Sequence, residues 1–117
     1  MSLQWLWLAL LISIAGGVGS VIRAVITRWH GFLPWGLVLT NTLAAGLVAW
    51  WLSGPTLTQD YLLVVTVGFA GGLSTFSTLA KEVFDFYHRG RIIQSTLVMV
   101  ANVFVPLGAV MLATYLR

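Results

Sequence analysis

The sequence is short of charge. Of its 117 residues, six are lysine or arginine and three are aspartate or glutamate, 8% in all, while 59% are hydrophobic. Ordinary soluble domains carry roughly 25% charged residues. So few charges cannot cover the surface of a soluble fold, and an integral membrane protein is expected instead. Cysteine is absent, which excludes a disulfide framework, a thiolate metal site and a cysteine nucleophile. The formal charge is +3, but the basic residues are scattered, and without a basic patch no nucleic acid is expected as a partner. No nucleophile–base pair or metal cluster stands out, so an enzyme is not expected. The N-terminal region lacks a basic stretch and an obvious small-residue cleavage site, so no cleavable signal peptide is expected. No internal repeat is evident.

Long apolar runs are what the sequence does have. Leu3–Ile22, Trp35–Leu52, Tyr61–Ala80 and Ile92–Leu116 are free of charge and about 18 to 25 residues long. Each reaches the ~20 residues a helix needs to cross ~30 Å of hydrocarbon. Turn signals separate them at Trp29–Pro34, Ser53–Thr56 and His88–Arg91. The expected architecture is one all-α, four-helix transmembrane domain over residues 1–117, with helices near 3–27, 34–53, 60–87 and 91–116. Links this short make consecutive helices antiparallel neighbours. Trp5, Trp7, Trp29, Trp35, Trp50, Trp51 and Tyr115 lie toward the run ends, as an interfacial aromatic belt would. Arg28, Arg89 and Arg91, with Arg23 close by, fall on the side of the first and third links, and only Arg117 falls on the other. Read by the positive-inside tendency alone, both termini lie outside.

Polar residues inside such runs cost free energy unless they are satisfied, so each is a candidate for function. In the first run, Gly16-Gly17-Val18-Gly19-Ser20 precedes Arg23. The glycines suit close helix packing. Arg23 either snorkels to headgroups or serves as a cation at a pore mouth, concentrating anions. The second run holds Thr40-Asn41-Thr42 near its middle, between Gly36 and Gly46. Asn41 is either interhelical glue or an amide donor aimed at a path. The third run is the least helical. Gly68, Gly71, Gly72, Ser74, Thr75, Ser77 and Thr78 crowd one short stretch, where glycine weakens a helix and hydroxyls compete for its backbone bonds. A break at Gly71–Thr75 would free carbonyls for a small hard cation and amides for an anion. The alternative is a packing face with back-bonded hydroxyls. Phe76 and Leu79 share a helix face, and the positive ring edge of Phe76 can meet an anion. Lys81, Glu82 and Asp85 mark the end of the membrane core, and Pro106 is expected to kink the fourth helix near Asn102.

Together these residues carry a specific resemblance. Gly68-Phe69-Ala70-Gly71-Gly72-Leu73-Ser74-Thr75-Phe76-Ser77-Thr78-Leu79 resembles the GFxGGxTTFSTF signature of the small fluoride channels of the Fluc, or CrcB, family. Gly16 to Arg23 resembles its GxxGAxxR pattern, Gly36 to Gly46 its GTLxxNxxG pattern, and Asn102-Val103 the NV of its fourth helix. The resemblance covers essentially the whole chain, in the same order. It implies a fluoride-selective channel in the plasma or inner cell membrane that exports fluoride down its electrochemical gradient and so relieves fluoride toxicity. It implies an antiparallel, dual-topology-type dimer in lipid, with a third helix broken in mid-membrane. It further implies a structural Na+ at the dimer interface, bound by the backbone carbonyls of Gly71 and Ser74. The implied fluoride pathway comprises Asn41, Phe76, Ser77, Thr78 and Leu79, with Arg23 near its mouth.

Two departures stand out. Leu79 occupies the position of the family's second phenylalanine, and Ala24 follows Arg23 where an aromatic is usual. Some members of the family pair as heterodimers with one degraded pore. Leu79 and the arginine bias lean that way, so the expected partner is a second copy or a paralogue. A small multidrug-type exporter would need a membrane-embedded carboxylate, and the cores of the first three runs contain none. A non-conducting scaffold would account for the glycines but not for the placed asparagine, hydroxyls and phenylalanine.

Overall fold

A computed structural model of the chain describes residues 3–54, 58–74 and 76–117. Thr75, and Pro55 and Thr56 of the second link, lie outside the described residues. The elements are α1 (Leu3–Ile26), α2 (Trp35–Ser53), α3 (Gln59–Leu62), a π-helical segment (Leu63–Ala70), α4 (Gly71–Leu73), α5 (Ser77–His88) and α6 (Ile92–Leu116). There is no strand among the described residues. Four stretches are long and apolar enough to cross a membrane: Leu3–Ile26, Trp35–Ser53, Gln59–His88 and Ile92–Leu116. This agrees with the all-helical, four-span reading of the sequence.

The packing divides the third span in two. Its first half, through the π-helical segment and α4, lies along α1, whereas α5 lies along α6. The longest helix–helix contact is between α2 and α6. Backbone-to-backbone approach makes the α1 contact possible. A Cβ placed on Gly72 would lie 2.9 Å from the Gly16 Cα and closer still to the Gly16 carbonyl oxygen. One on Gly19 would lie 2.9 Å from the Leu73 nitrogen and overlap the Phe69 carbonyl. Small residues hold membrane helices together in this way because lipid tails offer no hydrophobic drive for association.

The π-helical turn has a local cause. Val64, Val65, Thr66 and Val67 are β-branched neighbours, which crowd an α-helix. The Thr66 hydroxyl donates back to the Leu62 carbonyl, and the Gly71 N–H reaches the carbonyls of Thr66 and Gly68. The bond to Thr66 spans five residues and widens the turn, a distortion that recurs at functional sites. Beyond it, α4 stops at Leu73. Ser74 has φ −79° and ψ 157°, an extended conformation, and helix is next found at Ser77.

Both ends of the bundle are tied. On one, the Gln94 Nε2 donates to the Phe32 carbonyl at 2.7 Å, and His30 Nε2 lies 3.7 Å from Glu82 Oε1. Glu82 therefore lies against the first link. On the other, Arg117 Nε donates to the Trp50 carbonyl at 3.2 Å, with its guanidinium 4.5 Å from the Trp50 ring. This supplies a cation to the C-terminal end of α2, which has no basic residue in its own last turn. The molecule is thin: its extents are 53 × 32 × 21 Å. The shortest is about two helix diameters of ~10 Å.

Candidate functional site

The polar residues singled out in the sequence fall into two places. The first is an open cleft of about 600 Å³ lined by Asn41 of α2, Thr66, Gly71 and Ser74 of the third span, and Asn102 and Pro106 of α6. Its floor is aliphatic, including Ala44, Ala45 and Val48. The second is a groove of about 730 Å³ between α5 and α6, lined by Phe76, Leu79, Val83, Phe84, Ser95 and Thr96 among others. Asn41, Gly71 and Ser74 share the cleft, whereas Phe76 and Leu79 line the groove. Arg23, Ser77 and Thr78 line neither.

In the cleft, the Asn41 Nδ2 donates to the Asn102 Oδ1 at 2.8 Å. Asn102, only 9% exposed, in turn donates its own Nδ2 to the Val98 carbonyl one turn back, at 2.9 Å. α6 runs on through Pro106. Proline has no N–H, so the carbonyl four residues earlier, that of Asn102, has no helical donor. The hydroxyl of Thr40, beside Asn41 and fully buried, is occupied by the Leu37 carbonyl at 3.0 Å. It is therefore satisfied within α2 and is not a donor to the cleft. Ser74 Oγ lies 3.5 Å from the Gly71 carbonyl, and Ser20 Oγ lies 3.5 Å from that of Gly72.

The groove is different in kind. Phe76 is 81% exposed, although it belongs to an apolar span. Leu79 is half-buried and packs with Val83 and Phe86 against the cluster Leu33, Leu37 and Val98. Ser95 is buried, and its hydroxyl is taken by the Val83 carbonyl at 2.9 Å, which ties α6 to α5. Ser77 and Thr78 form the first turn of α5. Arg23 is half-buried near the end of α1, and its carbonyl accepts both the N–H and the hydroxyl of Thr27, at 2.8 and 2.7 Å. No group of three or more histidine, aspartate and glutamate side chains that could hold a metal occurs among the described residues.

The sequence left the part played by Asn102 open. Its partner Asn41 is 61 residues away in the chain, and only the packing of α2 on α6 reveals the pair. The signal available was a buried-type asparagine four residues before a proline in an apolar run.

The family described as "CrcB-like protein, Camphor Resistance (CrcB)" matches residues 10–114. The Fluoride-specific ion channel FluC of Pectobacterium carotovorum is 37% identical over 101 residues, covering 80% of each chain. Fluoride-specific ion channel FluC of Pyrococcus furiosus is 34% identical over 113 residues, 87% of this chain and 89% of that one. Fluoride-specific ion channel FluC 3 of Bifidobacterium longum is 33% identical over 111 residues, 88% of this chain and 92% of the relative.

Proposed function

This chain belongs to the CrcB family, and from that premise we propose that it is a fluoride-selective channel which lets fluoride leave the cell down its electrochemical gradient. The family is one of ion channels and not of enzymes, and four apolar helices make this member a multi-pass membrane protein. The observation that carries the reading is the cleft joining Asn41 and Asn102 to Gly71 and Ser74.

Fluoride is small and holds its water tightly. A path for it must replace that water with several short donor contacts, and a narrow path of such contacts excludes larger anions. The Asn41 amide, the hydroxyls and backbone N–H groups of Ser77 and Thr78, and the ring edge of Phe76 are donors of the required kind. Arg23 raises the local anion concentration at one mouth. Leu79 contributes shape but no positive edge.

A second subunit completes the path. An exposed Phe76, a cleft open on one side and a body only 21 Å thick support an antiparallel dimer. The extended backbone at Ser74 turns the chain out of helical order beside Gly71, and backbone carbonyls at such a break suit a hard monovalent cation. We infer that the Gly71 and Ser74 carbonyls of two subunits hold Na+, whose positive charge fixes the subunits about one point. If so, the thermal midpoint of the purified protein rises in NaCl relative to N-methylglucamine chloride of equal ionic strength. An unchanged midpoint counts against the site.

Growth in fluoride tests the physiological reading. Bacteria lacking their own fluoride exporter should grow in otherwise inhibitory fluoride when they express this protein. Inhibition unrelieved by well-expressed protein would contradict it. One observation favours a heterodimer as the second reading: Leu79 packs against Leu33, Leu37 and Val98 in place of a ring. Leu79→Phe tests whether Leu79 lines a conducting path. The groove beside Leu79 has room for a ring, so flux at or above the wild-type level is expected from a homodimer. A clear loss would mean that the site has been repacked around leucine, at an overpacking cost of about 1–3 kcal/mol.

A further inference from the structure

We propose that Asn102 is a positioning residue, one that sets the direction in which Asn41 presents its amide to the passing anion. The inference rests on the fluoride-channel reading and deepens it. The argument is one of polarity. An asparagine side chain can turn either its oxygen or its nitrogen toward a neighbour. In Asn102 the choice is made by its own helix, because Nδ2 is bound to the Val98 carbonyl at 2.9 Å. That leaves Oδ1 pointing at α2. Asn41 can answer an acceptor only with a donor, and its Nδ2 does so at 2.8 Å. Its Nδ2 is thereby anchored, and the planar amide is held in one orientation.

The anchor is itself held. Asn102 is 9% exposed, Val98 is 0% exposed, and Pro106 is buried one turn further along α6. A flip of the Asn102 amide would set donor against donor at Asn41 and acceptor against acceptor at Val98. A preorganised donor needs no reordering when the anion arrives, whereas a swinging one must be immobilised each time. Fluoride, the most demanding halide for short and aligned donors, loses most when the anchor is removed.

The test uses a pair of variants matched in shape. Threonine at 102 can donate to the Val98 carbonyl, as Thr114 does to Val110 at 2.8 Å in the same helix. It can also accept from Asn41. Valine fills the same volume and can do neither. In liposomes, Asn102→Val is expected to slow fluoride efflux about tenfold, which is about 1.4 kcal/mol of barrier, and to lower the fluoride-to-chloride ratio. Asn102→Thr is expected to recover most of both. In an Asn41→Ser background, Asn102→Val should have no further effect, because residues that act as a unit are not additive.

A second readout does not depend on transport. The side-chain amide protons of Asn41, assigned by their loss in Asn41→Ser, should be widely separated in the ¹⁵N–¹H spectrum of the dimer. They should draw together in Asn102→Val and stay apart in Asn102→Thr. Equal losses in the valine and threonine variants, additive effects with Asn41→Ser, or Asn41 protons indifferent to Asn102→Val would each overturn the proposal. If wild-type protein conducts no fluoride, the channel reading fails, and the amide protons still decide whether Asn102 orients Asn41.

Discussion

Asn41→Asp is expected to stop fluoride flux. The change is nearly isosteric, so α2 keeps its packing on α6. It replaces an amide donor with a carboxylate inside a membrane, where ionised aspartate costs about 2.5–3.5 kcal/mol on insertion scales. A fluoride ion within ~4 Å of that charge meets about 4 kcal/mol of repulsion at an effective dielectric of ~20. A barrier raised by that amount slows passage by about three orders of magnitude. The carboxylate would also face the Asn102 Oδ1, which now accepts from Asn41 at 2.8 Å, and would meet an acceptor with an acceptor. Fluoride efflux from reconstituted protein measures the effect. Unchanged efflux would remove Asn41 from the pathway.

The second large effect is expected at a site that contacts no anion. Gly72→Ala places a methyl group where the Gly16 backbone stands, 2.9 Å from its Cα. No side chain can move aside there, and two helices must part. The expected loss is about 3 kcal/mol, the upper end of the range for overpacking. It should show as a lower thermal midpoint and loss of the monodisperse peak on size exclusion. Displacing α4 also displaces Gly71 and Ser74, so flux falls too. Gly17→Ala is the control. It lies on α1 beside Gly16, and a Cβ there meets nothing within 4 Å. It should be neutral or stabilising by up to about 1 kcal/mol, because alanine gains over glycine in a helix. Equal behaviour of the two variants would refute the close contact between α1 and the third span.

The spans were legible because length and the absence of charge are sufficient signals when every backbone group must be satisfied internally. The glycines and hydroxyls led to an expected break at Gly71–Thr75; Gly71–Leu73 is helical and the backbone becomes extended at Ser74. The π-helical register of Leu63–Ala70 was not legible. It reads as an ordinary apolar run, because β-branched neighbours such as Val64–Val67 also occur in regular membrane helices. Which side chains meet was legible only for near neighbours. Phe76 and Leu79, three apart, do line one groove. Asn41 and Asn102 required knowledge that α2 lies on α6, and no periodicity carries that information. Thr40 and Ser95 show the converse: each is a hydroxyl in an apolar run, and each is satisfied by a nearby carbonyl.

The most direct measurement is efflux from liposomes that contain this purified protein alone, with internal fluoride read by electrode and chloride as the control anion. The account predicts fast fluoride efflux with chloride retained. That result would mean that one gene product supplies both subunits, that leucine at 79 supports conduction, and that the protein inserts in both orientations despite its arginines. Equal release of both anions, or no fluoride release from folded, reconstituted protein, would contradict it.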